Sequence, residues 1–83
     1  MTETEIRETI IAGLSQIAPE ADFEELSPTE NIREELDIDS FDFLNFLIGL
    51  DDKLGVEIPE SDYEKLISMN DLIGYLQERI IEL

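Results

Sequence analysis

Apolar side chains recur with helical spacing in three stretches of this chain, and the stretches between them are acidic and irregular. Ile6, Ile10, Leu14 and Ile17 step by four, four and three, which lines one side of a helix over residues 3–18. Thr2 and Glu5 stand before it in capping-box spacing, and Pro19 ends it. Phe43, Phe46, Leu47, Leu50 and Leu54 gather on one side of a wheel drawn at about 100° per residue, predicting a second helix over 40–54. Asp39 and Ser40 are both strong N-cap residues, and Gly55 suits a left-handed C-cap. Met69, Leu72, Ile73, Leu76 and Ile80 form the stripe of a last helix over 69–82, with Ser68 and Asp71 in cap-and-third-residue spacing.

The connections are uneven. Residues 19–39 form a long loop, with a turn at Ser27-Pro28-Thr29, single apolar anchors at Phe23, Leu26, Ile32 and Leu36, and a short helical turn from Asn31 to Leu36. Val56 to Pro59 is extended by its β-branched residues and by the proline, after which Ser61 caps a short helix over 61–66. With no strand alternation and no internal repeat, the expectation is an all-α fold. It is a four-helix bundle of three principal helices and a short third one, with a long loop between the first and second.

The helix beginning at residue 40 is apolar on more than one side. Phe41, Leu44 and Ile48 fall away from the core stripe, among Asp42, Asn45, Asp51 and Asp52. Such a helix either docks a second partner with its outer stripe or is buried all round. Gly13, Gly49 and Gly74 lie inside predicted helices, where each costs roughly 0.5–1 kcal/mol relative to alanine unless packing compensates. The wheel places Gly49 on the outer face.

Charge narrows the partners. The chain has 83 residues, with 22 acidic and 5 basic side chains and a net charge of −17, which repels nucleic acid and anionic membranes and favours basic protein partners or divalent cations. One small domain over 1–83 that holds by packing alone is expected. No apolar run approaches a membrane span, the start has neither a basic nor an apolar segment, and the chain has no cysteine, so a cytoplasmic monomer is expected.

The same composition removes most chemistry. Without histidine or cysteine there is no Ser–His or Cys–His nucleophile pair and no histidine-ligated metal site, and the solvated carboxylates offer no acid–base pair held at different pKa values. An enzyme is not expected. A calcium loop starting at Asp37 fails, because Phe41, Asp42 and Ile48 occupy positions that need an oxygen ligand, a glycine and a bidentate glutamate. Ser40 is different from the other serines in having a rival cap beside it. If Asp39 caps, the Ser40 hydroxyl is free in the first helical turn, where unpaired N–H groups and the helix dipole favour an attached phosphate. A plain N-cap serine is the other reading.

Leu36-Asp37-Ile38-Asp39-Ser40-Phe41 resembles the Asp-Ser-Leu signature of acyl carrier proteins, which carry phosphopantetheine on that serine. The first helix ending before a proline, the long loop, Gly55-Val56-Glu57-Ile58-Pro59, and Tyr63-Glu64-Lys65-Leu66 through Leu76 extend the resemblance over nearly the whole chain. It implies a carrier with 4'-phosphopantetheine, drawn from coenzyme A, on Ser40, and acyl intermediates held as thioesters on the arm. Asp39 would be read by the phosphopantetheinyl transferase with its magnesium. Phe41, Leu44 and Ile48 would be the apolar contacts for acyl-loading and acyl-processing enzymes with basic docking surfaces, and Asp42, Asp51 and Asp52 the acidic rim. The chain departs from the family at Phe41 in place of leucine, Asp37 in place of glycine, and the aromatic Phe43 and Phe46. These departures suit a specialised carrier of fatty acid or polyketide biosynthesis. The rival is an unmodified acidic helical adaptor that offers the same face to a basic partner.

Overall fold

Each principal helix starts at a side-chain cap read directly from its sequence. In the computed structural model, which describes residues 2–80, α1 spans Glu3–Ile17. The Thr2 hydroxyl accepts from the Glu5 N–H at 3.1 Å, and the Glu5 carboxylate accepts from the Thr2 N–H at 3.0 Å. Pro19 holds Ala18 out of helical geometry, and the helix stops there.

The loop that follows contains one helical turn, α2, Ile32–Glu35, whose Asn31 cap accepts from the Glu34 N–H at 3.2 Å. Ile32 is fully buried, and its N–H donates to the carbonyl of Ile67 at 2.9 Å. The Asn70 N–H donates to the carbonyl of Pro28 at 3.0 Å, so two backbone bonds tie the loop to the start of the last helix.

Helix α3 spans Ser40–Leu54 and ends at Gly55, whose φ of 66° is the left-handed cap that its glycine allows; the Gly55 N–H closes on Asp51 O at 2.9 Å. Helix α4 spans Met69–Arg79 behind a capping box of Ser68 and Asp71, with Ile80 as its C-cap. The expected extension of this helix to 82 falls on residues outside those described.

The predicted helix over 61–66 is corrected. The segment is a 3-10 helix, Glu60–Lys65, entered from Pro59, and Ser61 is not its cap, since no side-chain cap bond is made. The fixed φ of proline starts the turn without one, and none of the six residues is buried, so no apolar stripe selects α geometry. What holds it is the side chain of Asp62. The Tyr75 hydroxyl donates to Asp62 Oδ2 at 2.6 Å, Lys65 Nζ lies 3.4 Å from Oδ1, and the Arg79 guanidinium lies 3.6 Å from Oδ2 while stacking 3.5 Å above the Tyr75 ring. The hydrogen bond from Tyr75 keeps the Asp62 carboxyl below the usual range; burial, together with that bond to a carboxylate, pushes the Tyr75 phenol up to about 12.

The core lies between α1, α3 and α4, with α1 packed on both of the others. Ile6, Ile10 and Leu14 of α1 meet Phe46, Leu47 and Leu50 of α3 and Leu72 and Leu76 of α4, all of them buried. Leu54, expected in the same stripe, is only partly buried. The connections also contribute: Ile38, Val56, Ile58 and Leu66 are buried, so the non-helical segments are held by apolar anchors as well as by hydrogen bonds. No strand occurs among the described residues.

Candidate functional site

The first turn of α3 settles which of the two adjacent caps does the capping. Asp39 has extended backbone geometry, and its Oδ1 accepts from the Asp42 N–H at 2.8 Å. Ser40 is therefore the first helical residue. It is exposed, and among the described residues its hydroxyl takes part in no hydrogen bond. The serine stands at the positive end of a fifteen-residue helix, where attached negative charge is favoured.

The approach to this turn depends on two residues. Ile38 is buried, which anchors the chain immediately before the cap. Asp37 has a φ of 53°, the left-handed region that glycine occupies freely and that aspartate tolerates better than most residues. The Ile38 N–H then donates to Arg33 O at 2.9 Å and folds the end of α2 back toward Ser40.

The two stripes of α3 face different surroundings. Phe43, Phe46, Leu47 and Leu50 are buried, whereas Phe41 is 69% and Ile48 51% exposed, with Leu44 between these extremes. The helix is not buried all round. Asp42 and Asp52 are exposed beside the outer stripe. Asp51 is different: it is partly buried, and its Oδ2 accepts from the Ile58 N–H at 3.0 Å, so this carboxylate secures the extended segment after α3 instead of standing free on an acidic rim.

A concavity of about 590 Å³ opens beside Ser40. Ser40, Phe41, Phe43 and Leu44 form its α3 side, Tyr63, Leu66 and Ile67 its other apolar wall, and Arg33, Glu60 and Glu64 are among its charged lining. Two of these have no counterpart in the sequence reading. Ile67, 46% exposed, belongs to no helical stripe, and Arg33 lines the concavity from α2, four residues before the left-handed Asp37. The arrangement offers a free serine hydroxyl, a helix N-terminus, an apolar recess and an exposed apolar stripe. Among the described residues no helix is long and apolar enough to cross a membrane.

The family of the phosphopantetheine attachment site matches residues 8–76. An acyl carrier protein from Campylobacter hominis is 37% identical over 73 residues, covering 88% of this chain and 86% of that protein. A meromycolate extension acyl carrier protein from Mycolicibacterium smegmatis is 35% identical, covering 87% and 76%. An acyl carrier protein from Myxococcus xanthus is 32% identical, covering 84% and 92%. The unmodified adaptor is accordingly disfavoured, and the cofactor is a covalently attached 4'-phosphopantetheine. Proteins of this kind are carriers and not enzymes, and they work with a phosphopantetheinyl transferase and acyl-processing enzymes. This chain, with a free helix-initiating hydroxyl and an exposed stripe beside it, belongs to the acyl carrier protein family.

Proposed function

We infer that Ser40 is the attachment point and that α3 is the surface through which partner enzymes read this carrier. The observation that carries the reading is the division of labour at the cap. Asp39 satisfies the helix N-terminus, so the Ser40 hydroxyl is free to be substituted without uncapping α3. Transfer from coenzyme A joins the Ser40 oxygen to the phosphopantetheine phosphorus and expels the adenosine bisphosphate, while the hydroxyl proton passes to a base of the transferase. Once bound, the arm supplies a thiol that holds cargo as a thioester. The fold receives the new phosphate at a helix N-terminus and offers a recess of about 590 Å³ alongside.

Partner binding falls to the exposed stripe. Phe41, Leu44 and Ile48 are apolar anchors, with Asp42 and Asp52 beside them to steer a basic surface into place; Asp39 is the acid that the transferase reads. At a net charge of −17 two copies repel each other, which favours a monomer, and a chain without cysteine suits the reducing cytoplasm. The aromatic residues at 41, 43 and 46 and the acid at 37 fit a carrier specialised for one fatty acid or polyketide pathway, as the name of the meromycolate extension relative implies for that protein.

Incubation with a transferase and coenzyme A, followed by intact mass measurement, tests the site. Wild type gains one phosphopantetheine and Ser40→Ala gains none, while the variant keeps its helical circular dichroism because Asp39 still caps. An adduct on Ser40→Ala would place the attachment on another serine.

A further inference from the structure

We propose that Arg33 is a positioning residue for the prosthetic arm and binds the phosphodiester formed on Ser40; this rests on the reading of Ser40 as the attachment site. Cations are scarce in this chain, 5 against 22 acids, and where each one sits matters. Lys65 and Arg79 are engaged with Asp62. Arg33 is exposed and, among the described residues, has no carboxylate within ion-pair distance, although Glu34 and Glu35 follow it directly. It lines the same concavity as Ser40. Its backbone carbonyl accepts from the Ile38 N–H at 2.9 Å, which fixes the base of the side chain against the turn leading into Ser40.

The charges around the recess favour one arrangement of the attached anion. A phosphodiester adds one more negative charge to a chain already at −17. Glu60 and Glu64 line the concavity too and repel it, whereas the guanidinium fork of Arg33 matches two phosphate oxygens. Among the described residues neither Glu60 nor Glu64 lies within ion-pair distance of Arg33, which leaves its guanidinium open to the phosphate attached at Ser40 in the same recess. A carboxylate at the end of a cargo would lie at the far end of the arm. Arg33 therefore holds the root of the arm over the concavity and offsets part of the repulsion that modification creates.

The test compares apo and holo forms of wild type, Arg33→Gln and Arg33→Lys, with mass confirming full modification. In wild type the Arg33 Nε–H resonance moves between apo and holo, and the phosphodiester ³¹P resonance moves when Arg33 becomes Gln. Melting temperature supplies a cycle: the change from apo to holo is less favourable in Arg33→Gln than in wild type by about 1–8 °C at low salt, the range expected for an exposed pair in a domain of this size. Arg33→Lys restores most of that difference, because it keeps the charge while losing the fork. At about 1 M salt, where screening acts over ~3 Å, the difference shrinks toward zero. An unchanged ³¹P resonance together with equal apo-to-holo shifts in wild type and Arg33→Gln would overturn the proposal. An effect of Arg33→Gln seen only with the transferase present would assign the residue to docking and overturn it as well. Wild-type protein that takes no phosphopantetheine on Ser40 would instead remove the reading beneath it, an outcome that mass alone distinguishes.

Discussion

Phe41 and Phe46 lie on the same helix, and truncating each to alanine separates the proposed partner face from the core. Phe46 is 5% exposed, packs against Phe43 with ring centroids 5.6 Å apart, and lies over Gly13. Phe46→Ala leaves a cavity between α1 and α3, and the expected cost is about 3–5 kcal/mol. At about 4–8 °C per kcal/mol for a domain of this size, the melting temperature falls by more than ~12 °C. Phe41 is 69% exposed, so just under a third of its surface is covered. For a ring that buries about 150–250 Å² when fully covered, at about 25 cal/mol per Å², this coverage is worth at most about 1–2 kcal/mol. Alanine recovers roughly 0.5 kcal/mol of that through its better helix propensity, leaving a net loss of about 1 kcal/mol. Urea denaturation followed by circular dichroism gives both numbers, and loading kinetics with the transferase give the complementary pair. Phe41→Ala weakens the transferase's hold on the folded protein, whereas Phe46→Ala acts through the fraction folded. Equal destabilisation by the two substitutions would show that the outer stripe is core and that the docking surface assigned to it does not exist.

The glycines inside helices should respond in opposite directions. A Cβ on Gly13 would lie 2.8 Å from Phe46 Cε1 and 3.0 Å from Cδ1, so Gly13→Ala forces a core ring to move and lowers the melting temperature despite a better helix propensity. A Cβ on Gly49 meets nothing within 4 Å, so Gly49→Ala gains about 0.5–1 kcal/mol in the same thermal melt. The neighbouring acids at the end of α3 should separate as well. Asp52→Lys slows association with a basic partner and flattens its salt dependence at unchanged stability, as stopped-flow binding would show. Asp51→Lys removes the acceptor of the Ile58 N–H and additionally costs about 1–3 kcal/mol, visible in urea denaturation.

What could be read in advance divides according to how far each interaction reaches along the chain. The caps at Thr2 and Ser68, the left-handed end at Gly55 and the three principal stripes depend on neighbours within one or two helical turns, and their residue types announce them. The Asp39–Ser40 pair is legible for the same reason, since two cap residues side by side leave one without that duty. Asp51 was open to misreading as rim because its partner is a backbone N–H seven positions away, beyond the turn at Gly55, and a carboxylate on an acidic helix carries no mark of that bond. The 3-10 helix is likewise held in part from outside, by Tyr75 and Arg79 of α4 acting on Asp62, and residues 60–66 carry no mark of those contacts.

The recess beside Ser40 is the extreme case. Its walls come from α2, from the first turns of α3 and from the segment ending at Ile67, and they meet because the loop is tied across the fold at Ile32 and Pro28 and reversed at Asp37. Periodicity finds faces of helices, whereas a recess lies where faces of different elements converge. An exposed isoleucine and an arginine without an ion pair among the described residues have no local purpose in the sequence, and they acquire one when the fold sets both beside the Ser40 hydroxyl that the Asp39 cap leaves free.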